Sequence, residues 1–275
     1  MSISLTAWQR GPLLVLGAYA LFCAAVILLQ RRLLYFPQRL TAKEADEAYA
    51  FYGLSRWPEG SGPALRGLVA KAGPEAAVAV GTVLVFHGNA GGAHERVDYC
   101  DTLQRLGWRV ILAEYPGYGE RGGELAESSF REDGRATARL VRQRYTGPLV
   151  LLGESLGCAV VASVAADPEL KADAVVLATP WDRLETVAAT HYPWLPIRYF
   201  LRDRYDSVAY LKEYRGPVTL LMAEDDEIIP AKSTMALYDA LPHADRKRLI
   251  HIPLAGHNEW FSFVTDVQWR DILPK

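Results

Sequence analysis

Two hydrophobic patterns divide this chain. Residues 11–29 are apolar almost without interruption, and no charge falls between Arg10 and Arg31. As a helix, that stretch spans about 28 Å at ~1.5 Å per residue, close to the ~30 Å of bilayer hydrocarbon. From residue 76 onward the apolar positions instead fall in short runs: Thr82-Val83-Leu84-Val85-Phe86, then residues 109–114, 149–152, 174–178, 218–223 and 248–252. Continuous apolar runs of this length suit strands buried on both faces. Segments of helical character separate them, over residues 94–106, 129–145, from 156 onward, 231–241 and 259–272. Such alternation predicts an α/β fold, a mostly parallel sheet with helices on both faces. Ser129-Phe130-Arg131-Glu132 has the spacing of a capping box and is expected to open the second helix. Pro230 suits the start of 231–241. Before the regular region, residues 49–57 and 65–70 read as a strand pair around a Gly60-Ser61-Gly62-Pro63 turn.

A cleaved signal peptide or a buried core helix could share the hydropathy of the first apolar run. A signal peptide ends in a small-x-small site, whereas this run ends Ile27-Leu28-Leu29-Gln30-Arg31. Leu21 and Phe22 are too bulky to precede a lipoprotein-type cysteine at Cys23. The expectation is therefore a tail over 1–10 and an uncleaved single-pass transmembrane anchor over 11–30. Arg31, Arg32 and Arg39 follow it, against Arg10 and the amino terminus before it, which favours a cytoplasmic C-terminal domain. Residues 31–62 read as a linker and first strand region. Within it, Leu33-Leu34-Tyr35-Phe36-Pro37 would lie in the membrane interface or pack on the domain. Residues 63–275 form the α/β domain. Its insertion at 181–214, rich in Trp181, Tyr192, Trp194, Tyr199, Phe200, Tyr205 and Tyr210, reads as a small cap whose aromatics pack on the domain, line an acyl-chain pocket or face the bilayer.

Composition narrows the partners. The 275 residues include 30 basic and 32 acidic side chains, a net charge of −2 that gives no sign of nucleic-acid binding. Cys23, Cys100 and Cys158 are too few and too scattered for a disulfide framework, and none forms a metal-type pair.

The candidate chemistry sits where apolar runs end. Leu149-Val150-Leu151-Leu152 leads into Gly153-Glu154-Ser155-Leu156-Gly157 and then a run of small helix formers. As a pentapeptide this is a weak signal; its strand–turn–helix setting gives it weight. A serine at a strained apex leaves little room two residues to either side, which accounts for both glycines. A second strand ends in His87-Gly88-Asn89-Ala90-Gly91-Gly92. Its glycines fit neither a phosphate loop nor a dinucleotide fingerprint, and the N–H of Asn89 with that of Leu156 would make a two-donor oxyanion hole. His87 reads as a structural hydrogen-bonding residue. A third run ends in Glu224-Asp225-Asp226-Glu227, one of whose carboxylates could hold a histidine ring. A fourth leads to Gly256-His257, in the third slot of the order Ser, acid, His. His251 lies inside a strand pattern, as a packed or surface residue.

Together, Gly153-Glu154-Ser155-Leu156-Gly157, His87-Gly88-Asn89-Ala90-Gly91, Tyr115-Pro116-Gly117-Tyr118-Gly119, Asp226 with Ile229-Pro230, and Gly256-His257 resemble the α/β-hydrolase family. More narrowly they are similar to its membrane-anchored Bem46-like, ABHD13/ABHD17-like branch, over about residues 30–275. In that branch the acid precedes two residues and an aliphatic-Pro pair, which implies Asp226 rather than Asp225. Glu114 and Pro116 depart from the branch, which commonly has Asp and Arg there. The resemblance implies a catalytic Ser155, Asp226 and His257 and acyl transfer to water, with no metal or organic cofactor required. An ester or thioester with an apolar acyl group, lipid-borne or free, is the expected substrate. A peptidase or amidase using the same residues, and a non-catalytic membrane scaffold, are the competing readings.

Overall fold

In the computed structural model, which describes residues 7–60, 64–71, 79–242 and 244–274, the apolar runs become one sheet. The elements in order are α1 (Ala7–Leu34), β1 (Phe36–Pro37), α2 (Ala42–Phe51), β2 (Leu54–Trp57), β3 (Gly67–Ala70), β4 (Thr82–Phe86), β5 (Ala90–Gly91), α3 (Val97–Arg105), β6 (Arg109–Ala113), α4 (Glu127–Arg144), β7 (Leu149–Glu154), α5 (Leu156–Ala165), β8 (Ala174–Ala178), α6 (Leu184–His191), α7 (Ser207–Leu211), β9 (Val218–Ala223), α8 (Ala231–Ala240), β10 (Lys247–Ile252) and α9 (Asp266–Ile272). Eight strands pair in the order β10-β9-β8-β7-β4-β6-β3-β2, with β1 and β5 forming a separate two-stranded pair. The β2–β3 and β3–β6 pairs are antiparallel and the rest of the large sheet is parallel.

The period of two along each strand sorts the core into two layers. Leu84, Phe86, Ile111, Leu151, Val175 and Leu220 pack on one face with Phe130 and Val141 of α4 and with α5. Their neighbours Val83, Val85, Val110, Leu152, Val176 and Leu221 pack on the other with Tyr99 and Leu103 of α3 and Trp269 of α9. Every residue of α5 is buried, as its small apolar composition requires. The central strand β7 thus carries its C-terminal residue, Glu154, to the middle of the sheet's carboxyl edge, where ligands bind in open α/β sheets.

Four local readings are corrected. Residues 49–51 are helix, because α2 starts at a genuine capping box: Glu44 N–H donates to Thr41 Oγ1 and Thr41 N–H to the Glu44 carboxylate. The strand is only Leu54–Trp57, and Ser61, Gly62 and Pro63 of the expected turn lie outside the described residues. Ser129 does not cap α4. That helix begins at Glu127, whose N–H donates to Asp203 Oδ1 at 3.0 Å, a cap supplied from 76 residues away that no local pattern reveals. The last helix is split into a 3-10 turn (Trp260–Phe263) and α9, which has its own capping box between Thr265 and Gln268. Another 3-10 turn (Ala93–Arg96) precedes α3, in place of a single helix over 94–106.

Among the described residues, α1 is the one helix long and apolar enough to cross a membrane, by length and composition. It runs past the expected 30 to Leu34 and leads into β1 through Tyr35 alone. Within residues 33–37, Tyr35 packs on the domain, buried with its hydroxyl 2.9 Å from that of Tyr205, whereas Leu33 and Phe36 are exposed. Residues 31–62 also carry α2 and β2. In the insertion after β8, Trp181 and Tyr205 are buried, whereas Tyr192, Trp194, Tyr199 and Phe200 are exposed.

Candidate active site

The turn after β7 holds Ser155 at φ 51° and ψ −117°, a left-handed conformation that a non-glycine residue occupies only where its surroundings enforce it. Those surroundings are crowded. A Cβ on Gly153 would stand 2.5 Å from the Gly157 carbonyl oxygen, and one on Gly157 would stand 2.1 Å from that of Phe86. Gly157→Ala must therefore push α5 off β4, and thermal unfolding should show a loss of roughly 3 kcal/mol.

Loops after β9 and β10 bring the remaining partners to the serine. His257 Nε2 lies 3.0 Å from Ser155 Oγ. His257 Nδ1 lies 2.9 and 3.0 Å from the two Asp226 oxygens, and both side chains are almost wholly buried. Asp226 Oδ1 also accepts the N–H groups of Ile228 and Ile229, at 2.9 and 2.7 Å, which fixes the carboxylate plane. Asp225 and His251 are exposed, and among the described residues neither side chain hydrogen-bonds to this set. A serine hydroxyl on an imidazole that is itself held by a carboxylate can pass its proton to the ring while the oxygen attacks a carbonyl carbon.

Asn89 and Leu156 line the cleft that contains Ser155, and among the described residues neither backbone N–H donates to a protein acceptor. The loop carrying Asn89 is braced from several sides. His87 is buried, with Nε2 at 2.9 Å from Glu114 and Nδ1 at 2.8 Å from the Gly88 carbonyl, as suits a structural residue. From the Tyr115-Pro116-Gly117-Tyr118-Gly119 loop, the Tyr115 hydroxyl donates to His87 O at 2.8 Å and that of Tyr118 to Asn89 O at 2.6 Å.

Three contributions escaped the sequence reading. Glu154, next to the serine, accepts Gly88 N–H at 3.1 Å and the Tyr99 hydroxyl at 3.0 Å, and pairs with Arg96. It thereby ties the turn to the Asn89 loop and to α3. Burial, reinforced by the Glu154 charge, pushes the Tyr99 phenol far above its ordinary pKa and keeps it a donor. The signal was present: a carboxylate inside the pentapeptide, with Arg96 and Tyr99 three residues apart where α3 begins. The second contribution is the end of α1, whose Leu34, with Phe36, lines the cleft. Asn89 Nδ2 donates to Leu34 O at 2.8 Å, and Phe36 N–H donates to Asn89 O at 2.9 Å. The third is α6, which supplies Leu184 and Val187 to the same wall. The cleft encloses about 700 Å³ and its lining is mixed, with apolar Trp181 and Ile229 beside polar Arg96, Glu154 and Asn258.

A mostly parallel sheet with a strained serine after its central strand, and an acid and a histidine delivered by later strand ends, defines an α/β-hydrolase. Similarity to known proteins agrees. Residues 81–207 match the alpha/beta hydrolase fold family model. The protein Rv2307c of Mycobacterium tuberculosis is 33% identical over 268 residues, which cover 89% of this chain and 88% of that protein. The chain belongs to the alpha/beta hydrolase family. Its expected ABHD-like relation is met by the lysophosphatidylserine lipase ABHD12 of Danio rerio, 30% identical over 176 residues that cover 57% of this chain and 46% of that protein. This chain thus spans less than half the length of ABHD12. Among solved structures, the Pyrococcus furiosus esterase Pf2001 superposes with a TM-score of 0.62 at 14% identity, covering 86% of this chain and 96% of its own. XC6422 of Xanthomonas campestris, an α/β serine hydrolase without lid, gives 0.55 at 21% identity, covering 76% and 89%. At these identities the structural likeness speaks for the fold alone.

Proposed function

We propose that this hydrolase is a membrane-anchored serine esterase, cleaving a carboxylic ester or thioester with an apolar acyl group through an acyl-enzyme on Ser155. The observation that carries the proposal is the continuous hydrogen-bonded line Ser155–His257–Asp226 at a cleft partly lined by Leu34, Trp181, Leu184 and Val187. His257 accepts the hydroxyl proton as Ser155 Oγ attacks the carbonyl carbon. Asp226 holds the ring's tautomer and stabilises the imidazolium. The N–H groups of Asn89 and Leu156 receive the oxyanion, an interaction worth about 3–4 kcal/mol per donor in comparable sites. His257 then returns the proton to the leaving alcohol or thiol, and water attacks the acyl-enzyme by the same route. ABHD12 is named for a lipid ester, which favours a lipid-borne substrate here.

Residues 11–30 are the anchor in this proposal, and the arginines after it favour a cytoplasmic catalytic domain. The anchor's contribution is location. Deletion of residues 1–29, which leaves Arg31 paired with Asp203, should leave hydrolysis of short soluble esters within about twofold of the full chain, because the reacting groups are untouched. Turnover of esters embedded in phosphatidylcholine vesicles should fall much further. A matched panel of ester, thioester and peptide substrates, each soluble and vesicle-borne, tests both parts. Preference for a peptide would replace the esterase reading. An unchanged vesicle-to-soluble ratio would remove lipid as the source of substrate.

A further inference from the structure

Between Gly11 and Gln30, the helix α1 carries two strong hydrogen-bonding side chains, Tyr19 and Gln30, and both reach the cap backbone, Gln30 Nε2 also donating to Ile27 O of its own helix at 2.8 Å. The Tyr19 hydroxyl donates to Trp194 O at 2.6 Å. Gln30 donates through Nε2 to Phe200 O at 3.2 Å and accepts through Oε1 from Arg202 N–H at 2.8 Å. Eleven residues are about three helical turns, so both side chains leave one face. Between them Cys23, Val26 and Ile27 are half-buried along the same stripe, and Phe22 packs on Trp194 with ring centroids 5.4 Å apart. The cap segment 194–202 therefore runs alongside the C-terminal half of the apolar helix.

That register carries a depth. If hydrocarbon ends near Gln30, where the arginines begin, Phe22 lies about 12 Å and Tyr19 about 16 Å inside it, roughly half of a ~30 Å core. A segment bonded to Tyr19 cannot stay in water while Tyr19 is in lipid. We propose that residues 192–200 are immersed in the same leaflet as α1, so that the protein enters the bilayer through two elements and lipid acyl chains cover its cap aromatics. This rests on reading α1 as a membrane anchor. Backbone at membrane depth is tolerated only where its polar groups are satisfied within the protein, which is what Tyr19 and Gln30 do for the cap. Tyr192, Trp194, Tyr199 and Phe200 are exposed here, in the arrangement lipid would cover. Exposed Arg202 and Arg32 lie level with Gln30, at headgroup height. Arg198 stacks on Tyr199 at 4.6 Å and has the length to snorkel to the same height.

The test is collision accessibility of spin labels on the full chain in phosphatidylcholine vesicles, with oxygen as the lipid-soluble and a nickel chelate as the aqueous relaxant. In a Cys23→Ser background the other native thiols, Cys100 and Cys158, are buried and stay unlabelled. Labels go on Leu21→Cys in the helix, Trp194→Cys and Tyr199→Cys in the cap, and Val267→Cys on α9 as the aqueous control. The expected result is loss of nickel accessibility at the cap positions comparable to that at Leu21, with Val267 fully accessible. Either cap label suffices, so misfolding of one variant leaves the other to decide. A protected Leu21 with aqueous cap labels would overturn the proposal and leave the anchor standing. An aqueous Leu21 would overturn the anchor and this proposal with it.

Discussion

Ser155→Ala is expected to abolish both ester hydrolysis and labelling by a fluorophosphonate, with the fold intact. Among the described residues the hydroxyl is the one hydrogen-bond partner of His257 Nε2, and alanine retains the Cβ that the turn already accommodates. Losing the nucleophile of such a set costs about 10⁶-fold in turnover in a well-studied serine protease, as much as losing all three residues. Fluorophosphonate labelling of the wild-type chain at Ser155 and its absence in the variant, with matching circular dichroism, would meet the expectation. Retention of most activity by the variant would remove the entire proposed mechanism, including the esterase class.

Asp226→Asn is expected to reduce turnover by about 10⁴-fold, or about 5 kcal/mol in transition-state free energy. The direction follows from the backbone around the carboxylate. Ile228 and Ile229 N–H groups both point at Oδ1, so the amide oxygen of an asparagine must take that position. Its NH₂ then takes the Oδ2 place, 2.9 Å from His257 Nδ1, and favours the tautomer whose Nδ1 accepts over the one that donates to the amide oxygen at 3.0 Å. The ring proton moves to Nε2, and the imidazole loses its ability to receive the Ser155 proton. Asp225→Asn should change turnover by less than about twofold, since that side chain is exposed and touches none of the reacting groups. Steady-state kinetics on a soluble ester separate the two, and the reverse ranking would place the acid one residue earlier. Because asparagine is nearly isosteric, stability should change little and cannot account for the loss.

The parts legible in the sequence are those specified locally. A strand buried on both faces announces itself as an unbroken apolar run, so β4, β7, β8 and β9 match their runs to within a couple of residues. The elbow is legible because Gly153 and Gly157 are required by backbone atoms a few ångströms away. What the sequence hides is specified across long separations. The start of α4 is fixed by Asp203, so the Ser129 spacing misleads. The true box at Thr41 and Glu44 lies just ahead of a stretch whose aromatics, Tyr49, Phe51 and Tyr52, imitate a strand. The residue types around Glu154 are visible in the sequence, but their pairing is not, because Gly88, Arg96 and Tyr99 lie 55 to 66 residues upstream. The contact between Asn89 and Leu34 spans 55 residues and cannot be inferred from either motif alone.

That last contact bears on how the enzyme could be re-engineered. The helix ends on the loop proposed to hold the oxyanion, through Asn89 Nδ2 to Leu34 O and through β1 pairing with β5. Nothing between them behaves as a tether of adjustable length. A graft that exchanges the apolar helix for another can vary the turns ahead of Tyr19 freely, but from Tyr19 it must keep the side chains that meet the cap, and from Gln30 inward it must also preserve helical phase. One inserted residue would rotate the Leu34 carbonyl by about 100° around the helix axis and turn it away from the Asn89 amide. Chimeras joined in phase should therefore keep their turnover, and chimeras joined one residue out of phase should lose it, even though both present the same catalytic groups on the same sheet.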